Sequence, residues 1–262
     1  HLLNLKKIHL KDHNLKNKNN QNFIFGIRPI IEAIQAGKTI DKLFIQKGLH
    51  NDLFAELWKL VRFKRINYKH VPLEKINRLT KKNHQGVFAF ISPIDFYKIE
   101  DIIPNLYEEG KNPLILVLDR ITDIRNFGAI CRTAECAGVN AILIPEQNTA
   151  AINADAIKTS AGALHKISIC RTWNLKLSLQ FIKDCGIQLI ACTEKTKDTI
   201  YKNNYINPTA IIIGSEENGI APELLKMIDA KTKIPMYGKI ESLNVSVATG
   251  IILYESIRKI PN

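Results

Sequence analysis

Four segments of this 262-residue chain set hydrogen-bonding and ionic side chains where a helix or loop begins. In DRITDIRNFGAICRTAECAG (119–138), Asn126, Gly128 and Arg132 fall at i, i+2 and i+6. An amide then sits near a helix start and a guanidinium nearly two turns along it. GSEENG (214–219) is a glycine-bounded loop carrying Glu216, and Thr193 follows the apolar run IQLIAC (187–192). KIESLNVSVATGIILYE (239–255) presents Ser242, Asn244 and Ser246 at alternate positions just before an apolar stripe. Taken singly, each has an ordinary reading: Ser242 as an N-cap, Arg132 as a solvated surface group, the loop as a turn with a capping carboxylate. The chemistry they offer is hydrogen bonding and charge rather than phosphate cradling, because neither GxxxxGK[ST] nor GxGxxG follows any strand-like run. No His/Cys spacing suits a metal, and none is expected.

The elements that must position these groups form two parts. From residue 23 to 94, LFIQ (43–46) and GVFAFI (86–91) read as strands, and residues 51–64 as an amphipathic helix capped by Asn51. This predicts a small α/β domain over 23–94. Residues 95–112 carry prolines and a Gly-Lys-Asn-Pro breaker and read as a linker. Beyond it, LILVLD (114–119), AILIP (141–145), ISIC (167–170), IQLIAC (187–192), AIIIG (210–214) and KTKIPM (231–236) alternate with helix-like stretches. Short, strongly apolar runs of this kind predict a mostly parallel sheet covered on both faces, so 113–262 is read as an α/β domain. In such sheets ligands sit beyond the carboxyl ends of the strands, and the four polar segments all follow strand-like runs.

Composition narrows the partners. Residues 1–100 hold 19 Lys and Arg against 8 Asp and Glu, whereas residues 101–262 hold 18 against 17. A basic front half joined to a near-neutral second half predicts that the first part grips a polyanion, nucleic acid above all. Residues 1–22, rich in Lys and Asn, read as a flexible basic tail without the apolar core of a signal peptide. No run is apolar enough to span a membrane, and the five cysteines form no CxxC pair, so the sequence predicts a cytoplasmic protein with reduced thiols.

Together, NFGAICRTAECAG (126–138), IIIGSEENGI (211–220) and IPMYGKIESLNVSVATGIILYE (234–255), in that order, resemble the three signature motifs of the SpoU (TrmH) family of RNA ribose 2'-O-methyltransferases. FIFGIRPIIEAIQAG (23–37) and HQGVFAFI (84–91) resemble the substrate-binding domain, related to ribosomal protein L30e, of the subgroup that methylates 23S rRNA. The resemblance implies a trefoil-knotted (SPOUT) carboxyl-terminal domain, with residues 211–255 threaded through an earlier loop, and a homodimer built through it. Residues 246–257 would then bury a second face, with Ala248, Thr249 and Gly250 permitting close approach.

It also implies S-adenosylmethionine as cofactor, near Thr193, Gly214, Ile234, Met236, Ser242, Leu243 and Asn244. Having no phosphate to cradle, such a cofactor needs no glycine-rich phosphate loop. Arg132 matches the motif arginine at the target ribose. Since a guanidinium keeps its proton, its expected work is to clamp a phosphate and steady the nascent alkoxide. Asn126 is expected to orient Arg132 or the ribose, and Glu216 to fix Asn126 or Arg132 in place, while Ser242 and Asn244 supply short polar groups at the pocket mouth. Arg28, Lys81, Lys82, His84 and Gln85 are the expected RNA contacts. The implied reaction is 2'-O-methylation of a guanosine in the peptidyl-transferase loop of 23S rRNA. Alternatives are a tRNA or different rRNA target, or a non-catalytic RNA-binding factor on the same scaffold. The intact Asn126, Arg132, Glu216, Ser242 and Asn244 disfavour the last.

Overall fold

The computed structural model describes residues 23–205 and 208–259, so the basic tail expected at 1–22 lies outside the described residues. The chain divides between Asp95 and Phe96 into two compact units. The first contains β1 (Phe23–Phe25), α1 (Ile27–Gln35), β2 (Ile40–Gln46), α2 (Asp52–Phe63), β3 (Tyr68–Val71), α3 (Leu73–Leu79) and β4 (Val87–Ile91). Its sheet runs β1-β4-β2-β3, antiparallel except for the β2–β3 pair. Ile27, Ile30, Ile31 and Ile34 recur at i, i+3, i+4 and i+7, so α1 lays one apolar stripe on Leu43, Ile45, Val87 and Ala89. Phe44, Val71, Ile76 and Phe88 form a second cluster. The helix start expected at Asn51 is present: its side chain accepts a hydrogen bond from Phe54 N at 2.8 Å.

The second unit contains α4 (Ile99–Glu108), β5 (Leu114–Leu118), α5 (Ile124–Cys136), β6 (Ala141–Pro145), α6 (Ala154–Thr159), β7 (Ser168–Thr172), α7 (Leu175–Asp184), β8 (Gln188–Cys192), β9 (Thr209–Ile213), α8 (Pro222–Leu225), β10 (Ala230–Thr232) and α9 (Val245–Lys259). Six strands in the order β10-β8-β9-β5-β6-β7 make an entirely parallel sheet. Every residue of β5 and β9 is buried. Ile115, Val117, Ala210 and Ile212 belong to one core cluster, while Leu116, Leu118, Ile211 and Ile213, one position out of step, are buried as well. A strand buried on both faces reads as an unbroken apolar run, which is how these strands were legible.

The linker expected at 95–112 is not one. Residues 99–108 form α4, and Ile99 and Ile103 are fully buried in the core of the second unit with Ile102 and Leu106 packed against it. Pro104 inside the helix costs about 3 kcal/mol in an isolated helix. Burying Ile99 and Ile103 contributes roughly 1.5–3 kcal/mol each. Two buried isoleucines with flanking contacts therefore outweigh the proline. β10 is also shorter than KTKIPM suggested, because Lys233 N turns to bond Asp198 O at 2.8 Å and the chain pairs with Thr199 instead.

Candidate functional site

β10, β8, β9 and β5 are neighbours and parallel, so the segments leaving their carboxyl ends emerge along one edge of the sheet. Thr193 follows β8, Gly214 follows β9, and Ile234, Met236, Ser242 and Leu243 lie between β10 and α9. Asn126 stands in the first turn of α5, whose N-cap Asp123 accepts from Asn126 N at 2.7 Å. Residues more than a hundred positions apart thus reach one crevice.

Three of the expected residues form a hydrogen-bonded chain. Asn244 Nδ2 donates to Asn126 Oδ1 at 2.9 Å, and Asn126 Nδ2 donates to Glu216 Oε1 at 2.9 Å. A carboxylate only accepts, so Glu216 fixes which way the Asn126 amide points and leaves its oxygen for Asn244. Asn244 Oδ1 in turn accepts from Ser246 N at 2.9 Å and Ser246 Oγ at 2.6 Å, which holds it at the start of α9. Each amide keeps one N–H outside these bonds. The chain borders a cavity of about 400 Å³ whose lining includes Arg120, Asp123, Asn126, Asn148, Glu216 and Val245.

Beneath the cavity a buried carboxylate ties two loops. Asp119, 3% exposed, accepts from Arg120 Nε at 2.9 Å, Arg120 Nη2 at 3.0 Å and Ala221 N at 2.7 Å. Arg120 Nη2 also donates to Gly219 O at 3.0 Å. The loop after β5 is thereby fastened to the loop after β9. A buried carboxylate is tolerated only when it is paired and hydrogen-bonded, as here. Arg120 reaches this position with φ 61°, a left-handed backbone that costs a non-glycine residue about 1 kcal/mol. Asp119 and Arg120 were not singled out from the sequence; the acid closing the otherwise apolar LILVLD was the available signal.

Gly214 is required by space. A Cβ there would lie 2.2 Å from both Gly219 C and Ile220 N, so the returning loop closes directly on the end of β9. Gly128 has a packing role, since its Cβ would meet Thr159 Cβ of α6 at 2.7 Å.

Other expected residues stand apart. Arg132 lies six residues beyond Asn126, about two-thirds of a turn round the helix from it, outside the cavity lining. It is exposed and makes no hydrogen bond or ion pair among the described residues. Ser242 is exposed and likewise has no hydrogen-bond partner among the described residues, so Asn244 rather than Ser242 is the group built into the crevice. Thr193 is buried, its N donating to Thr232 O at 2.9 Å. Met236 and Leu243 leave apolar surface open, 39% and 37% exposed. Thr249 and Gly250, expected to ease approach of a second subunit, face inward: Thr249 is fully buried and a Cβ at Gly250 would meet Thr133 of α5. The outward face of α9 is Val247, Ile251 and Tyr254, at i, i+4 and i+7.

In the first unit, His84 is corrected from RNA contact to structural residue. It is 9% exposed, its Nδ1 accepts from Gly86 N at 3.0 Å and its Nε2 meets Asn77 Oδ1 at 2.8 Å. Both ring nitrogens are committed, with the proton on Nε2. Gln85 Oε1 accepts from Ile27 N at 3.0 Å, satisfying the first turn of α1. Arg28, Lys81 and Lys82 remain exposed, Arg28 with a long 3.9 Å pairing to Glu56.

No helix among the described residues is long and apolar enough to cross a membrane. The five cysteines are unpaired, and burial pushes the Cys170 and Cys192 thiols up to about 12.

Comparison with known proteins bears on this arrangement. Residues 113–254 match the SpoU rRNA methylase family, and residues 23–97 match the family described as RNA 2'-O ribose methyltransferase substrate binding. A Staphylococcus saprophyticus protein described as a TrmH family tRNA/rRNA methyltransferase is 34% identical over 237 residues, 90% of this chain and 95% of that protein. The crystal structure of an AdoMet-bound rRNA methyltransferase from Sinorhizobium meliloti shares the fold, with TM-score 0.59 at 23% identity, over 94% of this chain and 90% of that one. A TrmH/SpoU tRNA modifying enzyme of A. aeolicus matches with TM-score 0.52 and 35% identity, covering 57% of this chain and 76% of that one.

Proposed function

The chain belongs to the SpoU (TrmH) family of RNA methyltransferases, and from that premise we propose that it methylates a ribose 2'-oxygen of RNA, using S-adenosylmethionine. The observation that carries this reading is the Asn244–Asn126–Glu216 chain at the mouth of the 400 Å³ cavity. The residues beside it suit the cofactor. Gly214 lets backbone approach closely, Thr193 and Ser242 offer hydroxyls, and Ile234, Met236 and Leu243 offer apolar surface along the same sheet edge. When bound, the cofactor supplies a methyl group already activated by a positive sulfur.

The chain's own residues must prepare the other reactant. A ribose hydroxyl is a weak nucleophile, so it needs alignment, loss of its proton and support for the resulting oxyanion. The uncommitted N–H groups of Asn126 and Asn244 orient the ribose, with Glu216 locking the pair. Arg132 clamps the neighbouring phosphate and stabilises the alkoxide, while the hydroxyl proton passes to that phosphate, to a water or to a nearby carboxylate. Arg132 is exposed and lies outside the lining of its own cavity, which supports its serving the site of a second subunit in a homodimer. That dimer buries the apolar α9 face of Val247, Ile251 and Tyr254. The same reading includes a trefoil knot over residues 211–255 and work in the cytoplasm.

The substrate proposed is a guanosine of 23S rRNA. The front unit favours rRNA, since it matches the substrate-binding family and the A. aeolicus tRNA enzyme aligns with little more than half of this chain. Incubating the protein with purified rRNA, tRNA and labelled S-adenosylmethionine, then mapping methylated riboses by mass spectrometry, tests this. Label in 23S rRNA at a 2'-O-methylguanosine is expected; label only in tRNA moves the substrate, and no label in either removes the activity.

A further inference from the structure

The first unit has an open cleft that none of the groups above use. It measures about 650 Å³ and lies where β2 hands over to α2, with Leu49, Phe54 and Trp58 as apolar walls and His50, Asp52 and His70 at the rim. Its walls continue into a run of rings. Phe54 stacks on Trp58 at 6.0 Å between centroids, Trp58 meets Tyr68 edge-on at 4.9 Å, and His70 sits 6.1 Å from Trp58 and 5.5 Å from Tyr68. Tyr68 and His70 are exposed, and they belong to β3, an edge strand of the sheet. A ring cluster built only for packing would be closed over; this one ends at an open cavity.

The surroundings indicate what fits. β2 and β3 are parallel, so Gln46 and Val71 finish at the same sheet edge. Gln46 N bonds Gly86 O at 2.8 Å and Ile27 N bonds Gln85 Oε1 at 3.0 Å, which brings the loop before β4 and the start of α1 to that edge as well. Lys47 adjoins the lining residue Gly48, and Arg28 reaches Glu56 on α2, the helix that forms one wall of the cleft. Residues 23–95 carry 13 Lys and Arg against 6 Asp and Glu. Cations beside an aromatic slot are the arrangement that holds a single strand, phosphates on the charges and bases on the rings. At the rim itself the charge is opposite: Asp52 repels a phosphate but accepts from a base amino group.

We propose that the cleft lined by Phe54, Trp58 and His70 seats an unpaired nucleobase of the RNA substrate, with Lys47 and Arg28 beside it to hold the backbone. This rests on the RNA-methylation reading and extends it by a second contact point on the substrate. The chain has two tryptophans, so Trp173→Phe leaves Trp58 as the only indole reporter. In that background the full-length protein is titrated with an unstructured oligoribonucleotide and with a duplex of equal length. Saturable quenching of Trp58 by the single strand alone is expected. His70→Ala, at an exposed position, and Trp58→Ala should each weaken single-strand binding about tenfold while leaving S-adenosylmethionine affinity unchanged. His70→Ala guards against misfolding of the tryptophan variant. Absence of quenching, equal quenching by duplex, or wild-type binding by His70→Ala with methyl transfer intact would overturn the cleft and leave the enzymatic reading standing. Failure of the unsubstituted protein to methylate any RNA would instead remove that reading, and this inference with it.

Discussion

Around the carboxyl ends of β5 and β9, polar side chains bond to one another: Asp119 to Arg120, Asn244 to Asn126, Asn126 to Glu216. Along the edge of the first unit, Arg28, Lys81 and Lys82 stand in solvent with at most a long ion pair between them. On the proposed function, the difference follows from two tasks. A reacting oxygen must be met by groups that do not reorganise, which requires each to be held by another. A polyanion is gripped by many independent charges, none of which needs fixed geometry. Fixed polar groups should accordingly fail singly and severely, and the mobile charges should fail by degrees.

The largest expected loss tests Arg132, a charge of the second unit that lacks any such tie. Arg132→Ala should lower methyl transfer by about a hundredfold or more with cofactor affinity largely kept, read by single-turnover rates and calorimetry. Mixing Arg132→Ala with Asn244→Ala sharpens the point. If Arg132 serves the partner's site, re-formed mixed dimers contain one intact site and recover about a quarter of wild-type activity. If it serves its own, nothing returns.

Asn126→Ala should come next, at roughly tenfold to a hundredfold in kcat, because it releases both Asn244 and Glu216. Asn244→Ala, which also loosens the start of α9, should weaken cofactor binding and turnover together. Smaller still, Lys81→Ala and Lys82→Ala should each reduce RNA affinity severalfold and lower the salt dependence by about one counterion, without changing cofactor binding. A salt titration of RNA binding checks this, and an unchanged slope would separate these lysines from the RNA.

Arg120 offers the finest comparison. Arg120→Gly fits φ 61° without strain but leaves the Asp119 carboxylate with Ala221 N alone, at a cost of about 1–3 kcal/mol. Arg120→Ala loses the same bonds and keeps the strained backbone, so it should be about 1 kcal/mol less stable than the glycine variant and unfold at a lower denaturant midpoint. Equal midpoints would mean that the left-handed backbone carries no strain.

Much of this was readable in the residues. The apolar runs located five of the six parallel strands to within a residue or two, because strands buried on both faces leave no polar position to confuse the pattern. Asn126, Glu216 and Asn244 were chosen together from motif order, and they bond together. What misled was local: prolines at 93, 104 and 113 hid the Ile99, Ile103 and Leu106 stripe of α4, and a histidine beside a strand looked available for RNA although Asn77 and Gly86 claim it. The clamp of Asp119 and Arg120 on Gly219 and Ala221 spans about a hundred residues, a distance no periodicity reports.

The order β8-β9-β5 has a consequence for how the protein is made. The middle strand is synthesised after both of its neighbours, and β10 later still, so while residues 193–208 leave the ribosome β5, β6 and β7 have one open border and β8 has no partner on either side. Until β9 arrives, those borders are open to pairing with other chains. Cotranslational folding of the second unit should therefore wait for residues beyond 208, and stalling synthesis shortly before residue 209 should yield a sticky, protease-sensitive species.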